Sequence, residues 1–401
     1  LSRLAPFCDP AAWRTILIRH RLRIVFAALC LPALISTAAI GADRLPANIK
    51  TSGSPAMFAP QIQSLVDSLA AGLATDDPVT QQNARLTLVN ECKNHTGGAA
   101  SPQYQTLYVG CVNKALLQLL KEKGGKNVRL RVSAGVTAAA VAEVVFKDGA
   151  DASKLAPTVQ ELLADKQTAV ALWGIKAAKP VIASIIANGG NPTPVSKLVV
   201  KAMQEHGESG PVVEEACSTL TLEHLISVQF KANLGAGFDP AILTIIPDLL
   251  DLIAWRAEQY TNGNPPSPQA ERVVPVFLSS TAAGALALNP AVSNRAIKVM
   301  GDLTCATVHN VAGGNTNADL IEMVRYEGRF FDDLGDKTAN PGVKAAGRAI
   351  ADISDRTDPA KLTARCADLG DALKTLGVNL GSGSTPGATQ TPAPAVAGAP
   401  K

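Results

Sequence analysis

Eight times along this chain a side chain able to cap a helix stands directly before a proline. The pairs are Asp77-Pro78, Ser101-Pro102, Asn191-Pro192, Asp239-Pro240, Ser267-Pro268, Asn289-Pro290, Asn340-Pro341 and Asp358-Pro359. A short polar side chain in the first position accepts from the unpaired amides of a helix's first turn. The proline after it has no amide to leave unpaired, and its fixed φ already suits a helix. Each pair therefore starts a helix and argues against a central strand running through it. Spacings of mostly about 20–50 residues, with one gap of about 90, predict many helices of moderate length joined by short loops.

The apolar pattern agrees. Ile62, Leu65, Val66, Leu69 and Leu73 fall on one helical face, and Val128, Val132, Val136, Ala140 and Val144 fall on another. Val292, Ala296, Val299, Met300 and Leu303 repeat the period, as do Leu362, Cys366, Leu369, Leu373 and Leu376. Those intervals of three and four belong to a helix with one buried face, and no convincing alternating run of six residues competes with them. Only 4% of residues are aromatic, with abundant alanine, which suits close-packed helices better than sheets. Helices are expected over 61–74, 79–94, 102–123, 127–146, 154–164, 167–187, 193–205, 210–231, 239–260, 268–287, 290–311, 317–334, 341–354 and 358–377.

The ends read differently. Arg14, Arg19, Arg21 and Arg23 precede an uncharged run from Ile24 to Ile40, followed by small residues as far as Ala42. This is the layout of a secretory signal peptide, with cleavage expected after Gly41 or Ala42. The alternative is an uncleaved membrane anchor formed by residues 24–40. Residues 43–60 are expected to be a linker, 61–380 the helical domain and 381–401 a disordered tail, since 381–400 carry no charge and no aromatic ring. The formal charge of +3 resides in the leader. Without residues 1–42, which hold five arginines and one aspartate, 32 basic residues face 33 acidic ones. Such a chain lacks the basic stripe that binding nucleic acid requires.

Leu155 to Asp165, followed by Thr168 to Ala177, resembles a HEAT-type repeat: a leucine-rich first helix, an acidic corner, then a second helix with small packing residues. Leu116 to Lys123 with Asn127 to Ala134 repeats the pattern. Asp76-Asp77-Pro78 with Ala84-Arg85-Leu86, and Asn340-Pro341 with Val343 to Ala349, do so more loosely. The resemblance spans about 55–380 and implies an all-α fold, an α-solenoid of some six or seven stacked hairpins; armadillo-like arrays fit nearly as well. It transfers no catalytic residue.

Candidate chemistry is sparse. Of the five cysteines beyond the leader, Cys92 and Cys111 lie on consecutive expected helices and are the best disulfide pair. Cys305 and His309 are one helical turn apart, and Cys366 could complete half a zinc site, but no paired ligand motif supports a metal. Asp248 and Asp251 interrupt the most apolar stretch and are the best acid–base candidates; the plainer expectation is the polar face of a nearly buried helix. Asp332, Asp333 and Asp336 lack calcium-loop spacing. Gly235-x-Gly237 and Gly124-Gly125-Lys126 lack the strand that a phosphate loop follows, and Asn94-His95-Thr96 is a bare glycosylation sequon. No nucleophile elbow accompanies His95, His206, His224 or His309.

What remains is surface. Tyr104 and Tyr108 share one helical face, Tyr326, Arg329 and Phe330 crowd another, and Arg129 and Arg131 join Lys121, Lys123 and Lys126 at a corner. Aromatic and arginine side chains are enriched at the centres of interfaces, whereas core filling and solvation are the plainer uses. The expected function is an exported, non-enzymatic scaffold that binds another protein or a peptide, with no cofactor and no metal. The alternative is an enzyme or small-ligand binder with Asp248 and Asp251 at its site. Some HEAT-like proteins are lyases acting on bound chromophores, and the resemblance leaves that route open.

Overall fold

The computed structural model describes residues 44–93, 100–263, 266–315, 317–354 and 358–381, and among these every regular element is helical. The longer helices are α1 (Ala59–Leu73), α2 (Pro78–Cys92), α3 (Pro102–Leu119), α4 (Val128–Lys147), α5 (Ala156–Leu163), α6 (Thr168–Ala187) and α7 (Thr193–His206). They continue as α8 (Gly210–Leu220), α9 (Ile246–Thr261), α10 (Pro290–Ala312), α11 (Ala318–Lys337), α12 (Pro341–Ala351) and α13 (Pro359–Lys374). Asp77, Ser101, Asn289, Asn340 and Asp358 each accept from first-turn amides, with proline at the head of the helix. Asn191 accepts from the Thr193 amide, and α7 begins at Thr193 as expected, with Pro192 rather than Asn191 in the capping position. Asp239 lies inside the short helix Phe238–Leu243, and Ser267 opens only the single turn Pro268–Glu271.

Packing follows chain order. Helices α1, α3, α5, α7, α9, α10 and α13 form one series in which each packs on the next. Helices α2, α4, α6 and α8, the segment 268–276, α11 and α12 form a second. Sequence neighbours join the two series: α1 to α2, α3 to α4, α5 to α6, α7 to α8, α10 to α11 and α12 to α13. Most of the buried apolar side chains form one continuous core. Two glycines set its closest approaches. A Cβ at Gly174 would strike the Leu162–Leu163 backbone, so α6 lies tight on α5; one at Gly347 would strike the backbone of Phe331 and Asp332, so α12 lies tight on α11. Helix α6 is long and apolar enough to cross a membrane, but 67% of that span is buried inside the protein, as befits a core helix.

Three expectations need correction. Residues 43–60 do not behave as a free linker where they are described. Ala47–Lys50 is a helical turn, Leu45 and Ile49 are buried, Lys50 pairs with Glu91 at 2.7 Å, and the Ser101 amide and hydroxyl donate to the Lys50 and Ser52 carbonyls. Two apolar side chains four residues apart are enough to dock this strap. The helix expected over 210–231 stops at Leu220 and resumes at Val228, because the backbone turns left-handed at Leu222 and His224. The helix expected over 268–287 is broken into Pro268–Glu271, Val273–Val276, a π-helical turn Phe277–Thr281, and Ala283–Ala287. Both breaks fall in the second series. The expected leader with its cleavage site at Gly41 or Ala42, the sequon, and residues 382–401 lie outside the described residues.

Candidate functional site

The two breaks face each other across a pocket of about 390 Å³. Loop 221–226 supplies Thr221, Leu222, Glu223, His224 and Ile226, the broken segment supplies Arg272, Val273, Val276, Phe277 and Thr281, and α11 supplies Tyr326. Leu222 (φ +49°) and His224 (φ +66°) are two of the three non-glycine residues at positive φ among the described residues. Side chains pay roughly 1–2 kcal/mol for that region, and residues held there cluster at functional sites. The π-helical turn 277–281 contributes Phe277 and Thr281, and such turns have the same tendency.

The lining mixes an apolar floor with a polar rim. Val276 stands 44% exposed at the edge. Arg272 holds Glu322 only at 3.7 Å, and the His224 ring lies 3.5 Å from Glu223. Tyr326 is half-buried, with the Arg329 guanidinium 5.4 Å above its ring. Apolar floor, stacked tyrosine and arginine are the ingredients of an interface anchor. A second pocket of about 440 Å³ is lined by small and polar residues, including Tyr260, Thr261, His309, Asn310 and Asn315; burial pushes the His309 imidazole down, which favours its neutral form.

Behind the first pocket lies a buried ionisable cluster. Arg256 on α9 donates Nε to Glu271 at 2.5 Å, and the other Glu271 oxygen accepts from the Ser267 amide at 3.1 Å. On α11, Glu327 accepts from the Thr307 hydroxyl of α10 at 2.7 Å, while its Oε1 is buried without a hydrogen-bond partner. Burial pushes the Glu327 carboxyl up to about 8, with repulsion from Glu271 adding to it against the Thr307 hydrogen bond. Burial pushes Glu271 up to about 7, held back by Arg256. Neither glutamate stands out in the sequence; their only signal is a lone acid within an otherwise inward-facing helical stripe.

The expected surface residues divide. Tyr326 lines the pocket and Arg329 stacks on its ring without lining it, but Phe330 is buried against Phe331. Tyr104 and Tyr108 are fully buried, their hydroxyls donating to the Glu91 and Leu88 carbonyls, so they fill the core. Arg129 is exposed, and Arg131 pairs with Asp165 at 2.6 Å. Cys92 and Cys111 are free buried thiols and not a bridge; the disulfide joins Cys305 to Cys366, whose sulfurs are thereby lost to any zinc site. The helices carrying Cys305 and Cys366 are neighbours in the first series, which brings the two Cα atoms to 5.5 Å. Asp248 is buried and accepts from Ser196, while Asp251 is exposed and pairs with Arg295. Burial raises the pKa of the Asp248 carboxyl, with Asp251 adding to it against the Ser196 hydrogen bond, and neither carboxylate lines either pocket.

No protein-family model and no solved structure matches the chain.

Proposed function

We propose that this protein is an exported, HEAT-like helical scaffold that docks a protein or peptide partner at the pocket between loop 221–226, segment 272–281 and Tyr326. The observation that carries this is the gathering, at one break in the second helical series, of strained Leu222 and His224, exposed Val276, Arg272 and the Tyr326–Arg329 stack. Stacked hairpins offer a long surface that is regular and therefore unspecific, and a break supplies a local shape that a partner can recognise. Support for the repeat character comes from the two series of nearest-neighbour packing, from Gly174 seated on α5, and from the Asp165 corner tied to Arg131. The Cys305–Cys366 disulfide suits the oxidising compartment that export would provide.

The test is photo-crosslinking in the protein's own cells or secreted fraction, with a benzophenone side chain at position 276 and a control at exposed position 86 on α2. A discrete adduct is expected from 276 alone, and it should disappear in Arg272→Glu. Equal adducts at both positions, or none at 276, would remove the pocket as the docking surface.

A further inference from the structure

The second pocket, of about 440 Å³, opens where two helices end. Helix α9 stops at Thr261 and α10 at Ala312, and the last turns of both form its wall: Tyr260 and Thr261 from one, His309 and Asn310 from the other. Two polar side chains there have donors committed elsewhere. The Thr261 hydroxyl donates to the Glu258 carbonyl at 2.7 Å, and the Asn310 amide nitrogen donates to the Ala306 carbonyl at 2.9 Å. A hydroxyl whose one hydrogen is spent within its own helix has only lone pairs left to offer, and an amide held by its nitrogen has its oxygen left. Neither oxygen takes a hydrogen bond from another protein group among the described residues. The wall therefore asks for a ligand that donates.

The backbone adds a matching charge. The C-terminal end of a helix carries about half a negative elementary charge, and here two such ends, of helices 16 and 23 residues long, meet at one cavity. Among the described lining residues none is lysine, arginine, aspartate or glutamate, so no charged side chain in the wall cancels that field. Burial pushes the His309 imidazole down, so it adds no positive charge, and its Nε2 is buried without a hydrogen-bond partner. Arg256 stands 5.1 Å from the Tyr260 ring, but its charge is met by Glu271 at 2.5 Å.

We propose that this pocket binds a small organic amine, whose ammonium hydrogens go to Thr261 Oγ1 and Asn310 Oδ1 and whose charge is held by the ends of α9 and α10. An anion would meet the negative ends of both helices, and an uncharged molecule of the same shape forgoes their attraction. The volume falls in the range of small-molecule sites. The proposal does not rest on the docking surface at 221–281, since the two pockets share no lining residue.

The experiment is isothermal titration calorimetry on the full chain with three ligands built on one four-carbon chain: putrescine, uncharged 1,4-butanediol and anionic succinate. Putrescine is expected to bind about tenfold or more tighter than butanediol, because hydrogen bonds from a charged donor are the stronger ones, and succinate not at all. Asn315 lines the pocket and is exposed, so its charge can be changed without disturbing the core. Asn315→Asp should tighten putrescine about two- to fivefold and Asn315→Lys should weaken it by the same factor, with butanediol unmoved. Equal affinity for putrescine and butanediol, no putrescine binding, or the same putrescine affinity in both Asn315 variants overturns the site. Should the variants fold poorly, hydrogen exchange of the wild type decides: putrescine must slow exchange in peptides covering 258–263 and 306–315. Slowing that is absent there overturns the site as well.

Discussion

Reducing the Cys305–Cys366 bond should destabilise the C-terminal part of the protein by about 4 kcal/mol. The two cysteines are 61 residues apart, and they join α10 to α13. Closing a loop of that length removes about 14 cal/mol/K of unfolded-chain entropy, or about 4 kcal/mol at 25 °C. Residual structure in the unfolded chain lowers the figure, so it is an upper value for the cross-link alone. Reduction leaves both sulfurs in place and adds no cavity, whereas a Cys305→Ala/Cys366→Ala double variant loses packing as well.

The assay is urea unfolding followed by circular dichroism, with and without reductant. For a slope of about 2 kcal/mol/M, the midpoint should fall by about 2 M on reduction. Because α10 and α13 pack directly on each other and α1–α6 lie elsewhere in the two helical series, the loss should begin in α10–α13, and α1–α6 should follow at a later midpoint. Thiol titration in denaturant without reductant provides the independent check: Cys92, Cys111 and Cys217 react, while Cys305 and Cys366 do not. A midpoint indifferent to reductant, or reactive Cys305 and Cys366, would refute the reasoning. So would a reductant effect that disappears in Cys92→Ala.

Gly347→Ala should cost about 1–3 kcal/mol in urea unfolding, since its Cβ has only the α11 backbone to displace. Gly53→Ala, where nothing lies within 4 Å, should stay within about 0.5 kcal/mol. Tyr108→Phe should cost about 1–3 kcal/mol by leaving the Leu88 carbonyl without its buried donor. It should leave crosslinking from position 276 unchanged; a lost adduct with unchanged stability would restore Tyr108 to the binding surface. Stability should fall as pH rises from about 4.5 towards 8, because the folded state binds the Glu327 and Glu271 protons more tightly than the unfolded chain does; Glu327→Gln should remove the part of the slope between about 7 and 8 and reduce it below, in pH-dependent melting.

Local chemistry was the legible part. A capping side chain before proline acts through residues one to three positions away, and five of the eight pairs cap as expected. Inward and outward were harder to tell. Periodicity places Tyr104 and Tyr108 on one face without saying that α1 and α2 cover it, and their hydroxyls are satisfied by α2 carbonyls fixed only in the folded chain. The disulfide escaped for the same reason: consecutive helices suggested Cys92–Cys111, while the observed pair spans helices that are neighbours in space but not in sequence. The pocket was half legible. Tyr326 and Arg329 stand out on α11, yet their partners arise from two breaks, one of which depends on left-handed turns at Leu222 and His224 that these residue types do not advertise.

Beside those breaks lies a buried ionisable cluster. An apolar replacement for a buried ion pair of similar volume is often neutral or stabilising by about 1–4 kcal/mol, so Arg256–Glu271 with an added Glu327 is not what core stability alone would select. The same stretch holds the Leu222 and His224 backbone at positive φ and keeps Val276 exposed. Elsewhere among the described residues such costly features, the buried acid Glu91, the positive φ of Ala339 and exposed Leu288, lie apart. Three independent ones around a single pocket are better explained by selection for something other than the stack. This also sets the order of experiments: if Glu327→Gln stabilises the protein at neutral pH while the crosslink at position 276 is lost, the cluster serves the pocket and not the fold.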